Sequence, residues 1–291
     1  MRARAQGVNV PTYLVTGATD GIGKATALAL AERGAEVILH GRNPDKLAAT
    51  VEELRAATGN ASLHAVLADF ASLDEVAALG QRVRTDFPGL NVLINNAGLL
   101  TDHWQRSADG FEMTFAVNYL APFLLTNLLL ETVRANAPGR IVNVASTALG
   151  GGQIDFGNRR LELRFDGWQA YANTKLKNVL FSHHLSGLLA GTGVVSNALC
   201  PGLIDTNFFH TNTLFAGAGY ARLKPGMRPP IEGALVPLYL ATDPLAGESN
   251  GAFYVRQGRD GRRPVPLDWN PAVAAELWTQ SQAVLGRWLT G

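Results

Sequence analysis

The sequence predicts an α/β fold, a doubly wound parallel sheet of about seven strands with helices on both faces. Three observations predict it. Short apolar runs alternate with longer helical patterns along nearly all of the 291 residues. Those short runs are apolar without interruption, as strands covered on both sides must be. The first of them runs into a glycine-rich turn that opens a helix. Hydrophobic residues make up 47% of the chain and charged residues 17%, which supports a packed core and excludes a disordered or collagen-like chain. No linker divides the sequence, so residues 1–291 read as one domain, with a core over about 11–256 and a C-terminal extension over 257–291.

Thr12 to Thr16 reads as a buried strand bounded by Pro11 and Gly17, and Ile22 to Arg33 as a helix stopped by Gly34. A strand at Ala35 to His40 and a helix from about Pro44 to Thr58 follow, then a strand at Leu63 to Ala68 and a helix at Leu73 to Asp86. Val92 to Asn95 is the fourth strand. A long helix is predicted over Phe111 to Asn136, a strand over Arg140 to Ala145, a helix from about Trp168 to Leu189, and strands at Val194 to Leu199 and Ala252 to Val255. Two long segments interrupt this rhythm, Thr147 to Gly167 and Asn207 to Pro230, and loops of that length in a compact domain usually serve function.

Several function classes are disfavoured. With 25 Lys plus Arg against 24 Asp plus Glu, the chain carries no basic footprint for nucleic acid or an anionic membrane. Its single cysteine, Cys200, allows no internal disulfide and no Cys-rich zinc spacing, which fits a reducing, cytoplasmic setting. Met1 to Pro11 lacks the apolar core of a secretory signal. The most membrane-like stretch, Phe115 to Val133, contains Asn118, Pro122 and Asn127 and is expected to be a buried helix rather than a span. The histidines (His40, His64, His103, His183, His184, His210) are scattered, the adjacent pair points to different helix sides, and no metal site is expected. Arg159–Arg160 and Arg262–Arg263 read as solvated pairs.

The turn after the first strand reads Thr16-Gly17-Ala18-Thr19-Asp20-Gly21-Ile22-Gly23. A strand that turns sharply into a helix presents free N–H groups and the positive dipole end at one point, which suits a phosphate. Gly17 permits the turn, Gly21 a close backbone approach, and Gly23 close helix–strand packing. The spacing is GxxxGxG rather than GxGxxG. In this the sequence resembles the short-chain dehydrogenase/reductase family, whose members open a Rossmann-type fold with TGxxxGxG.

The later strand ends extend the resemblance. Where NAD-specific members carry Asp after the second strand, this chain has Gly41, followed by Arg42. A guanidinium pairs well with a phosphate dianion, so the expected cofactor is NADP(H); Asp20 in the turn is a mild counter-signal. The resemblance places Asp69, with Phe70, at the adenine. It also matches Asn95-Asn96-Ala97-Gly98 to the family's NNAG motif, where Asn95 supports the strand ends and Ala97 and Gly98 leave room for the cofactor. Pro201-Gly202-Leu203-Ile204-Asp205-Thr206 resembles a segment whose backbone near Ile204 and whose Thr206 hydroxyl hold the nicotinamide carboxamide.

Ser146 follows the fifth strand, and Tyr171 and Lys175 lie four residues apart, on one helix face. A free tyrosine has a pKa of about 10 and is a poor acid–base group at neutral pH. A neighbouring ammonium and a positive nicotinamide would lower it, letting the phenol exchange a proton with a carbonyl or alcohol oxygen that Ser146 orients. The resemblance gives Tyr171 and Lys175 this role, has Lys175 also grip the nicotinamide ribose, and completes a tetrad with Asn118. The implied activity is hydride transfer between nicotinamide and a carbonyl or alcohol. Two other readings fit less well: a catalytically silent dinucleotide-binding sensor, which would be expected to lose Ser146, Tyr171 or Lys175, and a nucleotide-sugar epimerase, which usually carries GxxGxxG.

Phe123–Leu129, Arg140–Val144 and Lys175–Phe181 most resemble the retinol-dehydrogenase-like branch, so the expected substrate is a lipophilic aldehyde, ketone or alcohol. No N-terminal anchor like that of the branch's membrane-bound members is expected. Residues 207–230, with Phe208, Phe209 and Phe215, read as an apolar lid over the nicotinamide, and Leu99 and Leu100 as further lining. The family's habit of pairing through the helices bearing Asn118 and Tyr171 allows a homodimer or homotetramer.

Overall fold

Residues of β1 (Thr12–Val15) are all buried, and they alternate between two covered faces. Tyr13 and Val15 enter one hydrophobic cluster and Leu14 the other, which is why the strand reads as an unbroken apolar run. The computed structural model describes residues 11–156, 164–210, 212–256, 263–267 and 270–290. The readings of residues 1–10 and of the Arg159–Arg160 and Arg262–Arg263 side chains fall outside what is described.

After β1 come α1 (Gly21–Ala31), β2 (Glu36–Gly41), α2 (Pro44–Thr58), β3 (Leu63–Leu67), α3 (Leu73–Asp86) and β4 (Leu90–Asn95). Side-chain oxygens open the helices: Asp20 caps α1, Asn43 caps α2 and Ser72 caps α3, each satisfying an otherwise orphan N–H. Next are a short α-turn, α4 (Met113–Phe115), a π-turn over Ala116–Leu120, and α5 (Ala121–Ala135). Then follow β5 (Gly139–Val144), α6 (Gly167–Leu188) and β6 (Val194–Cys200). The remaining elements are α7 (Asn207–His210), α8 (Ala218–Leu223), α9 (Pro230–Gly233), α10 (Leu235–Thr242), β7 (Phe253–Val255), β8 (Arg263–Val265) and α11 (Pro271–Leu289).

The sheet has eight strands in the order β3-β2-β1-β4-β5-β6-β7-β8. Strands β1 to β7 pair in parallel, and β8 joins β7 antiparallel. This adds one strand to the about seven expected. β8 is three residues long and contains Pro264, a residue that an edge position tolerates and that hides the strand from pattern reading. Winding reverses between β1 and β4, and that reversal opens a crevice at the C-terminal strand ends.

The long helix expected over Phe111 to Asn136 is interrupted by the π-turn. Met113–Ala135 is long and apolar enough to cross a membrane; its most apolar 18-residue window has a mean hydropathy of 1.5, and 83% of that window is buried inside the protein. Covering α5 and α6 is α11. Trp278 packs on Phe123 at 4.8 Å and Phe181 at 5.9 Å between ring centroids, and Tyr119 bonds Ser281 at 2.7 Å. The helices that the resemblance gives to subunit pairing therefore carry the chain's own C-terminal helix across them.

Candidate active site

The glycine turn is built by steric necessity. Gly17 has φ +63°, and a Cβ there would stand 2.9 Å from the Ala97 Cα. A Cβ on Gly23 would lie 2.3 Å from the Gly17 carbonyl oxygen, so any side chain would push α1 off β1. Thr206 sits over Gly21, where an added Cβ would be 2.8 Å from the threonine Cγ2. The turn and the segment after β6 thus meet across the crevice, and the N-terminus of α1 faces it with the N–H groups that suit a pyrophosphate. This glycine-lined cradle fits a dinucleotide.

Around the cradle the predicted residues divide into two sets. Thr19, Asp20, Ile22, Arg42, Asp69, Ala97, Gly98, Gly202 and Thr206 retain exposed surface. Asn95, by contrast, is buried and turns inward, donating to Thr126 Oγ1 at 3.0 Å and Asn143 Oδ1 at 2.9 Å. The Phe70 ring stacks on His40, and Pro201 and Ile204 are buried. These residues shape the site from behind. Asp69 also caps its own turn, with Oδ1 accepting from Ala71 N–H at 2.9 Å.

Four groups converge at the crevice floor. The Tyr171 hydroxyl lies beside the Ser146 hydroxyl, near enough for Ser146 to act on its ionisation. Lys175, on the same face of α6, places Nζ 5.3 Å from the Tyr171 ring centroid and donates to the Val144 carbonyl at 3.0 Å. Asn118 lies in the π-turn, a feature frequent at functional sites. Its Oδ1 accepts from Leu99 N–H at 2.8 Å and its Nδ2 donates to the Leu99 carbonyl at 2.7 Å. A Cβ on Gly98 would stand 3.4 Å from Asn118 Oδ1 and 3.7 Å from Lys175 Nζ, so glycine keeps the tetrad open to the groove.

Burial governs the electrostatics. It pushes the Tyr171 phenol well above its ordinary value, and Ser146 pulls it back by less. The same desolvation brings the Lys175 ammonium down to about 8, against a smaller opposing pull from Cys200. The lowered phenol expected from the YxxxK spacing is therefore not produced by these side chains alone. A cationic ring beside Tyr171 would offset the desolvation.

Aromatic groups roof the tetrad. Phe208 lies 5.2 Å and Trp168 5.7 Å from the Tyr171 ring, and Phe215 packs on Trp168 at 6.1 Å. Asn212 ties this roof to the far wall, donating to the Leu100 carbonyl at 2.8 Å.

The family model of the short chain dehydrogenases matches residues 11–214. This chain belongs to the short-chain dehydrogenase family. Retinol dehydrogenase 13 of Mus musculus is 38% identical over 285 residues, spanning 94% of this chain and 84% of that protein. Retinol dehydrogenase 14 of Homo sapiens is 35% identical, over 94% and 86%. These relatives put this short-chain dehydrogenase in the retinol-dehydrogenase-like branch, and it is an oxidoreductase that works with a nicotinamide cofactor. A Beutenbergia cavernae protein solved with bound NADP shares the fold with a TM-score of 0.69 and 28% identity, over 88% of this chain and 98% of that one.

Sequence reading missed three residues of this short-chain dehydrogenase's site. Asn96 donates from Nδ2 to the Thr16 carbonyl at 2.8 Å, clamping β4 to the glycine turn. The NNAG string contains it, but which Asn faces which way depends on the strand pleat. Trp168 carried a signal, a large apolar residue one helical turn before Tyr171. The third is His40, grouped with the scattered histidines.

Proposed function

We propose that the chain is an NADP(H)-dependent reductase of lipophilic aldehydes or ketones, able to run in reverse as an alcohol dehydrogenase. The observation that carries this is the convergence of Ser146 and Lys175 on the Tyr171 phenol, roofed by Phe208, Trp168 and Phe215. NADPH, when bound, supplies the hydride to the carbonyl carbon. The Tyr171 O–H gives its proton to the carbonyl oxygen as that oxygen gains negative charge. Ser146 holds the same oxygen in line by a hydrogen bond. Lys175, as a cation, stabilises the phenolate left behind, and Asn118 fixes the Leu99 backbone beside it. The aromatic roof excludes water and favours an apolar substrate, in keeping with relatives named for retinol.

The preference for the 2′-phosphate rests on the end of β2. A Cβ on Gly41 would stand 2.6 Å from Thr19 Cγ2, so a carboxylate placed there to hold a ribose 2′-hydroxyl would have to displace the Thr19 methyl. Arg42 is exposed and has no ion-pair partner among the described residues. Lys46, in the first turn of α2, neutralises Asp20 at 3.0 Å and so tempers the repulsion that Asp20 offers a phosphate.

Initial rates with NADPH and NADH against aliphatic, aromatic, terpenoid and steroid carbonyls test the proposal. Turnover of none of them, or of their alcohols, with either coenzyme defeats it. In the same assay Arg42→Ala is expected to raise KM for NADPH by about tenfold to a hundredfold, the worth of one charge-assisted phosphate contact, and to leave KM for NADH within about twofold. Equal effects on both would remove Arg42 from the phosphate.

A further inference from the structure

His40 is the last residue but one of β2 (Glu36–Gly41), where the glycine turn and the end of β3 come together. The residue is 3% exposed. The Gly17 N–H donates to Nδ1 at 3.2 Å, Nε2 lies 3.0 Å from the Ala68 carbonyl, and the ring stacks on Phe70 with centroids 4.3 Å apart. The backbone follows the same seam: Ala18 N–H donates to the His40 carbonyl at 2.8 Å, and Ala68 N–H to the Gly41 carbonyl at 3.3 Å.

The two ring contacts fix the proton. An amide N–H only donates, so Nδ1 must be bare. A carbonyl only accepts, so Nε2 must carry the hydrogen. Only the neutral Nε2–H imidazole satisfies both partners. A protonated ring would set an N–H on Nδ1 against the N–H of Gly17.

Those partners are the two walls of the adenosine half of the groove. Gly17 opens the turn that faces the pyrophosphate, and Ala68 immediately precedes Asp69. We propose that His40 is a positioning residue for the dinucleotide, holding the glycine turn at a fixed separation from the end of β3, and that it does so only as the Nε2–H tautomer. This rests on the dinucleotide reading of the crevice and holds for NADP and NAD alike.

The surroundings keep the ring neutral. Burial pulls the imidazole down to about 4, against the smaller upward pulls of the Ala68 carbonyl and the Asp69 carboxylate. Asp69 is the charged group that acts on it from the end of β3; Gly17 on the turn and Phe70 beneath the ring bring no charge. The folded-state value lies below that of a free histidine, so the link is intact through neutral pH and is lost as the pH falls toward 4.

Nitrogen-15 NMR of the histidine rings in the wild-type chain, without coenzyme, reads this directly. The expected result is a neutral Nε2–H pattern for His40 from pH 8 down to 5.5. An Nδ1–H tautomer, or titration near 6.5, overturns the proposal. Variants supply the functional arm. Asn presents an acceptor where Nδ1 lies, whereas Gln reaches the Nε2 position and leaves Gly17 unpaired. His40→Asn should keep KM for the coenzyme within about threefold of wild type. His40→Gln should raise it about tenfold, the worth of one buried hydrogen bond, with kcat within about threefold for both. Melting curves identify any variant that has not folded, in which case the NMR result decides. Indistinguishable KM values for folded Asn and Gln variants also overturn the proposal, whereas failure of the wild-type chain to bind any dinucleotide strikes the reading beneath it instead.

Discussion

Replacing Tyr171 by Phe is expected to lower kcat by about 10²- to 10⁴-fold, the usual contribution of a positioned acid, and to leave coenzyme affinity within about threefold. The substitution removes one oxygen. The ring keeps its neighbours Phe208 and Trp168 and the Lys175 amine 5.3 Å from its centroid, so the packing of α6 and of the roof is retained. What disappears is the O–H next to Ser146. Ser146 also accepts from Ala148 N–H at 3.2 Å, which holds it in place after Tyr171 is gone, and a serine hydroxyl is too weak an acid to replace the phenol. Single-turnover hydride transfer, paired with coenzyme binding followed by fluorescence, separates the two effects. A kcat within tenfold of wild type would show that the proton comes from elsewhere. Loss of coenzyme binding together with kcat would show that Tyr171 shapes the groove instead.

The α/β layout was legible because it is written in local patterns. Uninterrupted apolar runs such as Leu14–Val15 and Val92–Ile94 and the glycines at 17, 21 and 23 depend on neighbouring residues and on backbone sterics. Ser146, Tyr171 and Lys175 were legible for a related reason: helix periodicity and a strand end bring them together. Features set by long-range contacts were not. The π-turn at Ala116–Leu120 adds a residue to one helical turn without any proline or glycine inside it. Asn95 and Asn96 are chemically identical, yet one faces Thr126 and the other the glycine turn. His40 gains its meaning from Gly17 and Ala68, 23 and 28 residues away. The extension after β7 was legible as a length of chain, but that it would lie across α5 and α6 was not, because Trp278 finds Phe123 and Phe181 only in three dimensions.

Lys177→Met is expected to stabilise the protein at neutral pH. Lys177 follows Lys175 on α6 by two residues, hence on another side of the helix. It is fully buried, and its Nζ has no hydrogen-bond partner among the described residues. The Phe115 ring, 5.5 Å away, offers a cation–π contact. Burial brings the ammonium down to about 8, with Asp155 and then Glu112 pulling upward by less. The sign follows. The folded-state value lies below the 10.5 of a free lysine, so the unfolded chain takes up the proton first as the pH falls. Stability therefore declines from about pH 10.5 to about 8 and is level below, where the accumulated penalty is roughly 3 kcal/mol at 1.36 kcal/mol per pKa unit. Met keeps the apolar stem and removes the charge, as in buried ion sites that gain stability on apolar replacement. Part of the penalty returns as the cation–π contact is lost, so urea unfolding at pH 7 should show a gain of about 1–3 kcal/mol. At pH 10.5, where the wild-type amine is already neutral in the folded chain, the gain should shrink toward zero. Loss of stability at pH 7, or a gain that does not change with pH, would show that Lys177 is paired and charged in the folded protein.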